Sequence, residues 1–97
     1  MNKQDLETLH EVKQAIRDKY AWPGGYPFYV VMSDGEALSV DAARENWREI
    51  CRAVIFGWER GTWFPAGADI NWEDPDLYCM HSGARIESAY AEDKATD

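Results

Sequence analysis

Ninety-seven residues carrying five Trp, five Tyr, three Phe and a formal net charge of −8 suit one domain around one core, because a chain of this length has too little surface to bury for two. The aromatic content excludes a disordered chain, and the acidic balance disfavours a phosphate backbone as a direct partner. With no run of eighteen apolar residues and no basic-then-apolar start, neither a membrane span nor a secretory signal is expected, and the expected setting is the cytoplasm.

The first segment, Gln4 to Lys19, sets Leu6, Leu9, Val12, Ile16 and Tyr20 at spacings of three and four among Lys, Glu, Gln and Arg. That spacing predicts an amphipathic helix with Asn2 as its N-cap and Pro23-Gly24-Gly25 beyond its end. Tyr26 to Met32 is rich in β-branched and aromatic residues and predicts a strand. Ser33-Asp34-Gly35-Glu36 then reverses the chain into a short return strand through Ala37 and Leu38. Ser39 offers a second N-cap, followed by an apolar stripe of Ala43, Trp47, Ile50, Cys51, Val54 and Trp58 along one helix that ends near Gly57 or Gly61.

After an irregular stretch from Thr62, Ala68, Ile70 and Trp72 alternate with Asp69, Asn71 and Glu73. Alternation predicts a half-buried strand with the polar set outside. Glu73-Asp74-Pro75-Asp76 reads as an acidic turn. Leu77-Tyr78 and Ala84-Arg85-Ile86 flank a tight hairpin, and Ala89 to Asp97 reads as a frayed tail. The expected architecture is α+β: two amphipathic helices packed on a small antiparallel sheet, in one domain over residues 1–90 with an acidic tail over 91–97. Charge follows this order unevenly. Residues 1–68 hold ten acids and eight bases, whereas residues 69–97 hold eight acids against Arg85 and Lys94 alone.

The hairpin has the outline of a zinc knuckle that has lost a ligand. A working knuckle brings two thiolates together as C-x-x-C before a Gly, whose freedom to adopt left-handed backbone lets both sulfurs face one metal. In Cys79-Met80-His81-Ser82-Gly83 the second sulfur is replaced by Ser82. The helix start Leu38-Ser39-Val40-Asp41-Ala42-Ala43-Arg44 similarly resembles the second half of such a site, with Ser39 and Ala42 where cysteines stand. Together with the run Asp69 to Cys79, then His81, Gly83, Ile86 and Glu87-Ser88-Ala89-Tyr90, these features resemble a family of small, mostly uncharacterised proteins of bacterial, phage and plasmid genomes. Over about Tyr26 to Asp93, the resemblance implies a zinc-ribbon ancestry and a mobile-element setting. With three of four thiolates absent, no metal cofactor is expected. Cys79 and His81 are the only surviving ligand types there, and two ligands do not complete a tetrahedral site. Cys51 and Cys79 are expected as reduced thiols.

No phosphate-binding loop, dinucleotide fingerprint or nucleophile elbow is present, and no acid orients Cys79 and His81 as a nucleophile–base pair. The spacing of Glu73, Asp74 and Asp76 around Pro75 matches no calcium loop. An enzyme is therefore not expected. The expectation is an acidic binding protein that occludes a basic, nucleic-acid-binding surface of a partner protein, in the manner of an anti-CRISPR or anti-restriction inhibitor. Asp69, Glu73, Asp74, Asp76 and Glu87 supply the charge, and Trp63, Phe64 or Trp72 the apolar anchor. The alternative is a structural or regulatory metal-binding module built on Cys79 and His81. For Trp22, Trp58, Trp63, Phe64 and Trp72 a place in the core competes with exposure at an interface.

Overall fold

A computed structural model of the chain describes residues 2–21, 25–58 and 60–89. The expected acidic tail at 91–97, and the tryptophan at position 22, lie outside the described residues.

Helix α1 spans Lys3–Asp18, and the Asn2 side chain accepts a hydrogen bond from the Asp5 N–H at 2.8 Å, satisfying one of the donors that every helix start leaves without a partner. Leu9, Val12, Ala15 and Ile16 are its buried face. The helix stops at Asp18 because Lys19 takes a positive φ of 64°. Tyr20, expected on the helical stripe, instead opens the two-residue strand β1, Tyr20–Ala21.

Strand β2, Tyr26–Met32, is the shared strand of a four-stranded antiparallel sheet. It pairs with β1 at its start, with β3 (Ala37–Ser39) after a tight turn, and with β4 (Pro65–Ile70) from Phe28↔Ile70 to Met32↔Pro65. The turn is closed by Gly35 N–H to the Met32 carbonyl and Met32 N–H to the Glu36 carbonyl, both at 2.9 Å. Gly35 has φ of 89°, which an L side chain rarely adopts.

The second helical stretch is two helices rather than one. Helix α2, Val40–Glu45, is capped by Ser39, whose hydroxyl accepts from the Ala42 N–H. At Asn46 the backbone leaves helical geometry, with φ of −112° and ψ of 22°. The Asn46 side-chain amide takes the Ala42 carbonyl at 2.9 Å, so the side chain competes with the helix for its own hydrogen bonds. Helix α3, Trp47–Phe56, then starts afresh and ends at Gly57 in the left-handed region at φ of 70°. The break lets Ala42 and Ala43 of α2 and Ile50 and Val54 of α3 all reach one core, with Val12, Val30, Met32 and Leu38. The fold is thus α+β, with three helices on a small antiparallel sheet. No described helix is long and apolar enough to cross a membrane.

The alternation read from the sequence holds through Asp69 and Ile70 of β4 and fails just beyond the strand. Past Ile70 the pattern inverts: Asn71 is 4% exposed and Trp72 is 43% exposed. Residues 77–86 form the expected tight hairpin, with Cys79 N–H to the Ala84 carbonyl, Ile86 N–H to the Leu77 carbonyl, and Gly83 at φ of 75° closing the turn. Met80 N–H reaches the Ala37 carbonyl at 2.9 Å and so fastens this hairpin to β3.

Candidate protein-interaction surface

Asn71 organises the acidic end of the molecule. Its backbone N–H donates to the Pro27 carbonyl, which extends the β4 ladder by one bond, and its carbonyl accepts from the Ala89 N–H at 2.8 Å. The side-chain Nδ2 donates to the carbonyls of Asp74 at 3.0 Å, Glu87 at 3.2 Å and Ile86 at 3.3 Å, and Oδ1 accepts from the Asp74 N–H at 3.2 Å. A buried amide that uses both ends in this way is favourable only if all its partners stay in place, so it ties the acidic turn to the segment after the hairpin. Asp74 Oδ1 in turn accepts from the Asp76 N–H at 2.9 Å, fixing the turn around Pro75.

The consequence is electrostatic. Asp69, Glu73, Asp74, Asp76 and Glu87 are all exposed, and none of them forms an ion pair with another described residue. Asp69 and Asp74 are near enough to Tyr29 that, after burial, their fields are the causes holding its hydroxyl above the usual tyrosine range. Glu87 Oε2 accepts the Tyr20 hydroxyl at 2.8 Å, and that bond, followed by burial, pushes Tyr20 upward too. Trp72 packs its ring 4.7 Å from that of Tyr26, tilted by 54°, beside the acidic turn. Sequence reasoning missed Tyr26, and missed Asn71 as the organiser. The available signal was Asn71 three residues before Asp74 at the end of a strand, the spacing of a local side-chain-to-backbone turn.

Trp63 and Phe64 are elsewhere. They precede β4 where Trp72 follows it, and a six-residue strand separates its ends by about 20 Å. Both are half-buried against the core. Trp63 sets its ring edge-on to His81 at 5.4 Å, at the tip of the hairpin. Of the three aromatic anchors expected from the sequence, the fold brings only Trp72 to the acidic turn.

The two segments that carry the knuckle resemblance meet around one sulfur. Cys79 is 2% exposed, and its Sγ accepts the Ser39 N–H at 3.4 Å. Burial pushes this thiol up, but hydrogen bonds from Ser39 N–H, from the Ser82 hydroxyl and N–H, and from the Ser39 hydroxyl outweigh burial and hold it down at about 6. Cys79 is therefore a buried thiol of lowered pKa, set against the Ser39 N–H. One sulfur and two serine hydroxyls do not fit the thiolate, imidazole or carboxylate set that zinc requires. His81 is exposed on the turn beyond it, and no group of three or more His, Cys, Asp or Glu is gathered for a metal among the described residues. Cys51 is half-buried on α3, and burial raises its thiol pKa.

The site is that of a small α+β protein bearing a carboxylate-rich end with an aromatic pair beside it. No model of a known protein family, no curated protein and no solved structure matches the chain.

Proposed function

We propose that this protein is a non-enzymatic binding protein that docks its acidic end onto a basic, nucleic-acid-binding surface of another protein and occludes it. The observation that carries the reading is the gathering of carboxylates from three stretches of chain around Asn71, none of them in an ion pair with another described residue. Holding like charges together opposes folding, and the buried hydrogen bonds of Asn71 stabilise the arrangement against that repulsion.

Against a basic surface the same field becomes favourable. It accelerates encounter and competes with phosphates for the same lysines and arginines, while Trp72, braced on Tyr26, offers an aromatic contact of the kind that dominates interface energies. An anti-CRISPR or anti-restriction inhibitor acts in this way, and the mobile-element resemblance of Asp69 to Tyr90 agrees with that class.

Competition is the test. A partner captured on the immobilised protein at low salt is mixed with a fluorescent DNA or RNA duplex that it binds, and the protein is added. The expected result is displacement of the nucleic acid in proportion to occupancy, abolished by the D74K/D76K double variant. Simultaneous binding of protein and nucleic acid to the partner contradicts occlusion.

A further inference from the structure

In a chain with this acidic balance, the bases gather around Trp47. Lys13, Ile16 and Arg17 of α1, Arg44 of α2 and Trp47 of α3 line a groove of about 280 Å³. A second depression, with Arg48 on its wall, shares Arg44 and Trp47 with the first. Four of the ten bases of the chain thus surround one half-buried indole.

Only one of the four is fully engaged within the molecule. Arg44 donates through Nη2 to the Ile16 carbonyl at 2.6 Å and through Nη1 to Asp41 Oδ1 at 3.4 Å, which ties α1 to α2. Lys13 and Arg48 form no ion pair with another described residue, and Arg17 makes a single contact, from Nε to the adjacent Asp18 at 3.4 Å. Lys13, Arg17 and Arg48 are exposed. An apolar floor of Ile16 and Trp47 under such a rim is complementary to a surface that is aromatic at its centre and anionic around it, and ammonium and guanidinium groups hold a Trp ring better than any other.

The acidic end of this same protein has that composition. Trp72 is 43% exposed, and the exposed Asp69, Glu73, Asp74 and Asp76 stand near it in the chain. The two sets share no residue and form no ion pair with each other within one molecule, so each leaves its complement to a second copy. We propose that this protein self-associates, with the acidic end of one copy seated on the Trp47 groove of another. Trp72 lies on the apolar floor, and Asp74 and Asp76 face Lys13 and Arg17. The net charge of −8 on each copy opposes the encounter, so the contact is one of local complementarity against whole-molecule repulsion and belongs to the weak, transient class. It uses the acidic end but does not rest on the occlusion reading, in which the groove has no part.

Sedimentation equilibrium of the full chain is the test. The weight-average mass of wild type is expected to rise above that of the 11.1 kDa monomer between about 10 µM and 1 mM protein. K13E/R17E and D74K/D76K are each expected to weaken self-association at least tenfold, and an equimolar mixture of the two is expected to restore it, because each variant carries the surface that the other has lost. D74K/D76K moves the net charge from −8 to −4, so repulsion between whole molecules alone predicts the opposite result. K3E/R60E, which changes net charge as K13E/R17E does but leaves the groove intact, is expected to weaken association less than threefold. K13Q/R17Q, which keeps uncharged stems on α1, is expected to weaken it at least threefold and decides the matter if the double reversal unfolds by circular dichroism. K13E/R17E is expected to retain capture of a foreign partner, so failure of self-association and failure of docking read separately. A mass that stays monomeric throughout, equal weakening by K3E/R60E and K13E/R17E, or no restoration in the mixture of folded variants overturns the proposal.

Discussion

At the scale of single residues, Asn71 and Cys79 hold the two ends of the hairpin segment in place by different physics. Asn71 acts through satisfied hydrogen bonds on a buried amide. Asn71→Ala leaves the Asp74 N–H and several carbonyls without partners and is expected to cost about 2 to 3 kcal/mol in urea unfolding; a change below about 0.5 kcal/mol would remove Asn71 from its organising role. Cys79 acts through charge. Its folded value of about 6 lies below the roughly 8.5 of an unfolded thiol, so the unfolded chain binds the extra proton between these values and stability rises with pH across that window. The contribution is complete above about pH 8.5 and lost as pH falls through 6, with a slope of at most about 1.4 kcal/mol per pH unit. Unfolding midpoints of wild type and Cys79→Ala between pH 6 and 8.5 check this: the variant is expected to lose that slope, and parallel profiles would contradict a thiol of lowered pKa. The sequence made Cys79 visible because Gly83 and Ser82 mark its turn. It hid Asn71, since alternation assigns a polar residue to the solvent side and carries no sign of a buried network.

Individual elements were legible wherever a local signal and the tertiary contacts agree. The β2 strand, its turn, the Asn2 and Ser39 caps and the hairpin at 77–86 all follow from composition and turn chemistry. The helix break at Asn46 does not, because the apolar stripe from Ala43 to Trp58 continues across it at helical spacing and outweighs the one local signal, an asparagine whose amide takes the Ala42 carbonyl. The far end of α3 offers a clean test of its left-handed cap. A Cβ added at Gly57 would meet nothing within 4 Å, so Gly57→Ala reports the backbone term alone and is expected to destabilise by about 1 kcal/mol. A neutral or stabilising effect in thermal unfolding would show that α3 ends differently. The inversion just past β4 has a non-local origin: Asn71 turns inward to meet the segment after the hairpin, a contact with residues 15 and 16 positions away that no local pattern encodes.

For the molecule as a whole, the uneven charge was readable from the sequence, but not how the acids come together. Eight of eighteen acids fall after residue 68, and the fold gathers Asp69, Glu73, Asp74, Asp76 and Glu87 by joining β4, the acidic turn and the last described segment at Asn71. The aromatic part was legible only for Trp72. Trp63 and Phe64 are drawn to the core at the other end of β4, and the small core leaves Ile55, Phe56 and Trp58 exposed at the end of α3, with the Phe56 and Trp58 rings stacked at 5.2 Å. Trp72→Ala removes the ring that the docking account uses as anchor and is expected to weaken partner binding about tenfold or more, with little change in salt dependence. Phe56→Ala, on α3 and outside the set of carboxylates and the Trp72–Tyr26 pair, is expected to leave partner affinity unchanged. Calorimetric titration of each variant into the captured partner distinguishes the two surfaces.

The most direct measurement is the dissociation constant of a partner, captured on the immobilised protein at low salt, as a function of salt concentration for wild type and for D74K/D76K. The electrostatic account predicts affinity that falls steeply with salt for wild type, and at least tenfold weaker binding with a flatter salt dependence for the double variant. Retention of no partner at low salt, or equal affinity and equal salt slope for the two proteins, would contradict it.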